Sequence, residues 1–347
     1  MRPIRVLVVD DSLTMRRLIR LALSADPRIE VVGEARDGQQ AGERLAETRP
    51  DVLTLDVEMP GQSGLEFLRR LMAVQPMPVI MVSTETHAGS AAAIEALSIG
   101  AFDCVGKPVD ARSAADFAAL PDLVAAAATA PIAPGPRSVR GTGARPLPGT
   151  GFVWNGRFVL IGSSTGGVDA LERIIGDYPS DCPPTVIAQH MPAGFLASFA
   201  HRLDGRVRPR IQLATTGAPL LPGNVYLAPG GDTHLAIASP RRPVCQLIEA
   251  GKRNAHRPSV DYLFETGAPL GDKAVAVMLT GMGRDGVEGM LAMKRAGAIC
   301  LAQDKASSVV WGMPRAAHER GAVDRLVPLA EMASAILAAA GRGMRDR

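Results

Sequence analysis

The sequence is short of several things at once. Nowhere in its 347 residues does an apolar stretch approach the roughly 20 residues that span a bilayer. Four cysteines, Cys104, Cys182, Cys245 and Cys300, form no CxxC pair and no disulfide-like spacing. That excludes a disulfide-stapled secreted fold and suits a reducing cytosol. The opening "MRPIRVLVVDD" meets two aspartates before it could supply a signal peptide's apolar core. Excess charge is also lacking: a net +3 is too small to indicate nucleic-acid binding by itself. The expectation is a soluble cytoplasmic protein with room for two domains, each able to bury a core.

Large apolar side chains almost disappear from "TAPIAPGPRSVRGTGARPLPGT", residues 129–150, which holds five prolines and three arginines. Such a stretch cannot build a core and predicts an extended, solvated linker. It separates residues 1–128 from residues 151–347. No internal repeat is visible on either side.

Before the linker, strand and helix patterns alternate. "RVLVVDD", "DVLTLDV" (51–57), "PVIMVS" (78–83) and "CVGKP" (104–108) are apolar strand runs. Met15, Leu18, Ile19 and Ala22 carry helical spacing, and further helices are predicted near 38–47, 64–73 and 89–99. Repeated βα units imply a parallel sheet flanked by helices, whose ligands bind at the carboxyl ends of the strands. At those ends stand Asp10, Asp11, Asp56, Ser83 and Lys107. Crowded carboxylates repel, and a hard cation such as Mg²⁺ relieves the repulsion through oxygen ligation. A carboxylate can also be a nucleophile that forms an acyl phosphate, with a hydroxyl and an ammonium holding the new phosphoryl oxygens. Any one of these residues alone could be an ordinary solvated strand end. Lys107 argues otherwise: it is the only lysine before Lys252 in an arginine-rich chain, and an ammonium is a compact point charge where a guanidinium is a broad fork.

With "VVDDS", "LDVEMPG", "MVST" and "GKP" in place, residues 4 to about 125 resemble the receiver domain of two-component response regulators. The resemblance implies Asp56 as phosphoacceptor. It implies Mg²⁺ held by Asp10, Asp11, Asp56 and the backbone carbonyl of Glu58, and phosphoryl contacts from Ser83 and Lys107. One position departs from the family: Cys104 stands where an aromatic switch residue is usual.

After the linker, "RFVLIG" (157–162) predicts a strand, and Val168, Leu171, Ile174 and Ile175 predict the helix that follows. The turn between them, "GSSTGG", could cradle a phosphate on backbone N–H groups. It lacks the lysine of a P-loop and the spacing of a dinucleotide fingerprint. It does fit G-x-S-x-G through Gly162, Ser164 and Gly166, a weak pattern alone. A serine nucleophile needs a base and an orienting acid. "PTVIAQ" (184–189) is a strand ending at His190, and "AVAVMLT" (274–280) leads into "GMGRDG" with Asp285. Ser164, His190 and Asp285 are thus predicted at the carboxyl edge of one sheet. Ser163 is expected to point elsewhere on the turn and to tolerate alanine.

The remaining histidines carry less. His87, His201, His234 and His318 are expected in helices or loops as surface or packing residues, and His256 could line the pocket or shape a turn. No HExxH or paired-cysteine spacing predicts zinc.

The chain order Ser, His, Asp is not that of α/β-hydrolases. Instead "IGSSTGG", "AQHMPAGF", "YLAPGGDTH", "HRPSVDYLF", "LTGMGRDG" and "WGMPRAA" make residues 155 to about 340 resemble the catalytic domain of the chemotaxis protein-glutamate methylesterases. The resemblance implies an α/β chain of two doubly wound parallel sheets, a flavodoxin-like receiver followed by a Rossmann-like serine esterase. It implies hydrolysis of receptor glutamate methyl esters, with glutamine deamidation as a second activity, under control of Asp56 phosphorylation. Met282 would supply an oxyanion N–H and Thr165 would support it. The implied partners are a methylated chemoreceptor and a chemotaxis histidine kinase, with no nucleic acid, no membrane insertion and no cofactor in the esterase site. The rival reading is a response regulator with a non-enzymatic nucleotide- or nucleic-acid-binding output domain.

Overall fold

The computed structural model describes residues 2–59, 61–84, 86–108, 114–130 and 152–342. The chain divides into two compact units, Met1–Ser138 and Val139–Arg347. Most of the predicted linker, from residue 131 onward, lies outside the described residues.

The first unit is built on β1 (Ile4–Val9), β2 (Ile29–Ala35), β3 (Val52–Asp56), β4 (Val79–Ser83) and β5 (Asp103–Gly106). All neighbouring pairs are parallel, in the order β2-β1-β3-β4-β5. That is the flavodoxin-like order, with a switch point between β1 and β3. β3 and β4 are buried along their whole length, as strands covered by helices on both faces must be. Four intervening helices begin at a hydroxyl or carboxylate cap. Ser12, Asp37, Ser63 and Thr86 accept the N–H groups of Met15, Gln40, Glu66 and Gly89, satisfying donors that the first helical turn leaves orphaned. Each strand therefore delivers its carboxyl end to one edge, and after β1 to β4 the chain next enters a capped helix.

The second unit has β6 (Phe158–Ser163), β7 (Thr185–Gln189), β8 (Arg210–Leu213), β9 (Asn224–Leu227), β10 (Thr233–Ala238), β11 (Val244–Glu249), β12 (Ala274–Met278), β13 (Ile299–Gln303) and β14 (Arg325–Val327). Seven strands form one parallel sheet in the order β14-β13-β12-β6-β7-β9-β8. β10 and β11 form a separate antiparallel pair, an addition to the doubly wound plan. The expected helix spans Gly167–Gly176 and buries Val168, Leu171, Ile174 and Ile175. β6, β7 and β12 are wholly buried. Because β6 lies between β7 and β12, the strand order reverses at β6, and the crevice opens above it.

Candidate functional site

Ser163 of β6 pairs with Gln189 of β7, so Ser164 and His190 are the next residues past two adjacent strand ends. The His190 N–H donates to Ser163 O at 3.0 Å. On the other flank β12 pairs with β6 up to Met278 and Gly162, and its outgoing turn meets the serine turn directly. Ser164 N–H donates to Thr280 O at 3.0 Å, and Thr280 Oγ1 donates to Thr165 O at 3.0 Å. A Cβ on Gly281 would stand 2.8 Å from the Ser164 Cβ, so only glycine lets the two turns press together. Met282 follows, half-buried, while Thr165 is buried and Ser164 is half-exposed. Gly166 adopts φ 78° to start the next helix, a left-handed conformation that favours glycine.

His190 Nε2 lies 2.8 Å from Asp285 Oδ2, with both side chains nearly removed from solvent. Asp285 accepts four further hydrogen bonds: from Val260 N–H (2.6 Å), Ser259 Oγ (2.8 Å), Asn254 Nδ2 (2.9 Å) and Asp261 N–H (3.3 Å). Val260 and Asp261 open the helix Val260–Gly267, capped by Ser259, so a positive helix end faces the carboxylate. Burial by itself would raise the Asp285 pKa. The hydrogen bond and charge of His190, with the Asn254 and Val260 donors, outweigh it and hold the carboxyl well below the ordinary range. An ionised carboxylate only accepts, so His190 Nε2 carries a proton and donates it to Asp285 Oδ2. Nδ1 is buried and makes no hydrogen bond among the described residues.

Several supports were not legible in the sequence. Ser163 is fully buried and donates to Gln189 Oε1 at 2.6 Å. Gln189 Nε2 in turn donates to Ser164 O (3.0 Å) and His190 O (3.1 Å). The Ser163 hydroxyl is thus spent on the Gln189 amide, which ties the Ser164 and His190 backbones together. Tolerance of alanine there no longer follows. His256 stacks on His190, ring centroids 3.7 Å apart and 6° from parallel. His234 sits in β10, not in a helix or loop. It is fully buried, accepts Ser259 N–H at Nδ1 (3.1 Å) and meets Gly251 O through Nε2 (2.9 Å). His201 and His318 are exposed on helices.

At the carboxyl edge of the first unit, Asp10 and Asp56 are buried and Asp11 is exposed, their carboxylate oxygens within 4.8 Å of one another. Lys107 Nζ reaches Asp10 Oδ2 at 2.9 Å and Asp56 Oδ2 at 2.7 Å. Burial, aided by the Asp10 charge and opposed by Lys107, pushes the Asp56 carboxyl up to about 6. Burial likewise raises Asp10. Three hard oxygen donors in that space fit a divalent cation such as Mg²⁺. Glu58 is exposed and reaches this edge through its backbone, its N–H donating to Asp56 Oδ1 at 3.2 Å. Ser83 is buried at the end of β4, its Oγ 3.1 Å from Gly89 O. Cys104 is buried in β5, its thiol pushed well up by burial and the nearby Asp103 charge.

Residues 159–336 match the family model of the CheB methylesterase, and residues 6–116 match the response regulator receiver domain. The protein-glutamate methylesterase/protein-glutamine glutaminase 1 of Caulobacter vibrioides is 52% identical over 97% of this chain and 98% of its own length. The corresponding protein of Agrobacterium fabrum is 50% identical over 96% and 95%. The chain belongs to the CheB methylesterase family. The catalytic domain of a Thermotoga maritima CheB methylesterase, known from its crystal structure, superimposes with a TM-score of 0.51 at 39% identity. It covers 52% of this chain and 97% of its own. The output unit of this CheB family member is thus of the esterase type, and the nucleotide- or nucleic-acid-binding alternative has no support. Among the described residues, no helix is long and apolar enough to cross a membrane.

Proposed function

We propose that this chain is a protein-glutamate methylesterase, and a glutamine deamidase by the same acyl chemistry, acting on chemoreceptors under control of receiver phosphorylation. In this reading Ser164 Oγ attacks the γ-carbonyl of a methylated glutamate. His190 Nδ1 takes the hydroxyl proton and returns it to the departing methanol, while Asp285 holds Nε2–H and the ring's orientation. The Met282 N–H, on the turn against Ser164, is assigned to the developing oxyanion, with Thr165 as its support. Water then releases glutamate from the acyl-serine. What carries the assignment is the His190–Asp285 pair, with its unpartnered Nδ1, standing one strand from Ser164.

For the receiver we assign Asp56 as phosphoacceptor, with Ser83 and Lys107 on the phosphoryl oxygens. Asp10, Asp11, Asp56 and the Glu58 carbonyl would hold Mg²⁺. Bound there, the cation would offset the charge of the carboxylates and of the arriving phosphoryl group. The proposed organisation is a receiver at 1–128, a linker at 129–150 and a catalytic domain at 151–347, in the cytoplasm. The partners are the cytoplasmic domain of a methylated receptor and a chemotaxis histidine kinase, without nucleic acid or membrane insertion. Methanol release from methylated receptor, comparing the intact protein with Ser164→Ala, tests the enzyme assignment. Unchanged release by the variant would refute it.

A further inference from the structure

We propose that His256 is a positioning residue for this hydrolysis: stacked flat on His190, it stops that ring from swivelling and so fixes the place of the Nδ1 assigned above as the base. The inference rests on the reading of Ser164, His190 and Asp285 given above. The His190 ring is tied to the protein through a single hydrogen bond, Nε2 to Asp285, while its Nδ1 makes none among the described residues. Beyond its own Cβ, a ring held by one hydrogen bond keeps freedom about the soft Cβ–Cγ torsion. A second ring 3.7 Å away and only 6° from parallel removes the freedom without engaging either nitrogen.

The mount for His256 is a tight turn. Arg253 N–H donates to His256 O at 3.0 Å and His256 N–H to Arg253 O at 2.9 Å. The two central residues, Asn254 and Ala255, have φ of 49° and 65°, the pattern of a type I′ turn. The flanks are pinned, since Arg253 pairs with Glu265 and Arg257 donates to Ala250 O at 2.9 Å. The same turn holds the acid. Asn254 Nδ2 donates to Asp285 Oδ1 at 2.9 Å and to Asp261 Oδ2 at 2.7 Å. One four-residue turn therefore indexes both the imidazole and its carboxylate to a common frame.

The stack also suits the charge that develops. When His190 accepts a proton, a neutral ring face beside it is favourable, and a second cation is not. Burial first, then the charges of His190 and Lys252, hold His256 down to about 4, against an opposing pull from Asp285. His256 is accordingly neutral at neutral pH.

The test uses full-length protein and methanol release from methylated receptor. His256→Ala should lower kcat about 100-fold, the scale of a misplaced reacting group, with KM held within about two-fold. His256→Phe restores a flat ring without nitrogens and should recover most of the loss. His256→Leu, of similar bulk but not flat, should not, and this pair decides the matter if the alanine variant melts early. A kcat within about two-fold of the parent in His256→Ala overturns the proposal. So does a loss confined to KM, which would make the ring a substrate contact. A phenylalanine variant as slow as the leucine one, both melting like the parent, overturns it too. Ser164→Ala in the same assay guards the underlying reading: residual hydrolysis there sinks the serine assignment whatever His256 does. In that inactive background, His256→Ala should still broaden the proton resonance of His190 Nε2–H, a readout independent of turnover.

Discussion

A carboxylate as deeply buried as Asp285 would ordinarily take up a proton, and five donors with a helix amino terminus keep it ionised. Its folded pKa lies below the ordinary 3.8. The stability it contributes is therefore complete above that ordinary value and is lost as pH falls from there through the folded value. Asp285→Asn should lower the melting temperature at neutral pH and flatten its decline between about pH 4 and pH 2; an unchanged acid slope would contradict this. Asp261, raised by burial, works in the opposite sense and must be left intact in that comparison. Ser163→Ala strands the buried Gln189 Oε1 and should cost about 1–3 kcal/mol of stability, read by denaturant unfolding. Ser164→Ala and His190→Ala should each nearly abolish hydrolysis, and the double variant should be hardly worse than either, since members of such a set act as a unit. Losses that multiply in the double variant would break the assignment.

At the scale of the element, the contact between the β6 and β12 turns is the most exposed to damage. Gly281→Ala places a methyl group first against Met313 Sδ and then against the Ser164 Cβ and backbone N. It should cut kcat about 100-fold while far-UV dichroism stays native; full activity would mean that the turns need not touch. The elements that carry the site were readable because they are long apolar runs stopped by small or polar residues: β6, β7 and β12, with Ser164, His190 and Asp285 just beyond them. β8, β9 and β14 are three or four residues long, too short for any period to show. The turn Arg253–His256 was hidden for a different reason. Its second left-handed position is Ala255, which announces no turn, and its function depends on Asn254 and His256 meeting residues far along the chain. Likewise Gln189 reads in the sequence as an ordinary strand residue. Only the burial of Ser163 beside it reveals the amide as a tie.

For the molecule as a whole, metal dependence should separate the acidic edge of the first unit from the serine edge of the second. Activation by a small phosphodonor should require Mg²⁺ and vanish with a chelator, while basal methanol release is expected to persist. Asp56→Asn should remove the activation and spare the basal rate. Loss of basal activity on chelation would mean that a metal also serves the esterase edge. Lys107→Arg should weaken activation, because the short contacts to Asp10 and Asp56 suit a compact ammonium and not a planar fork.

The place of β12 beside β6 also sets an order of events during synthesis. β6 and β7 leave the ribosome with the serine and the imidazole, but Asp285 follows Ser164 by more than a hundred residues, about ten seconds at ordinary elongation rates. Until β12 arrives, one edge of the middle strand has no partner, and a bare apolar edge is a template for pairing with other chains. A ribosome stalled ahead of residue 274 would hold a nascent chain with Ser164 and His190 already in hand, no Asp285, and an open seam down the middle of its sheet.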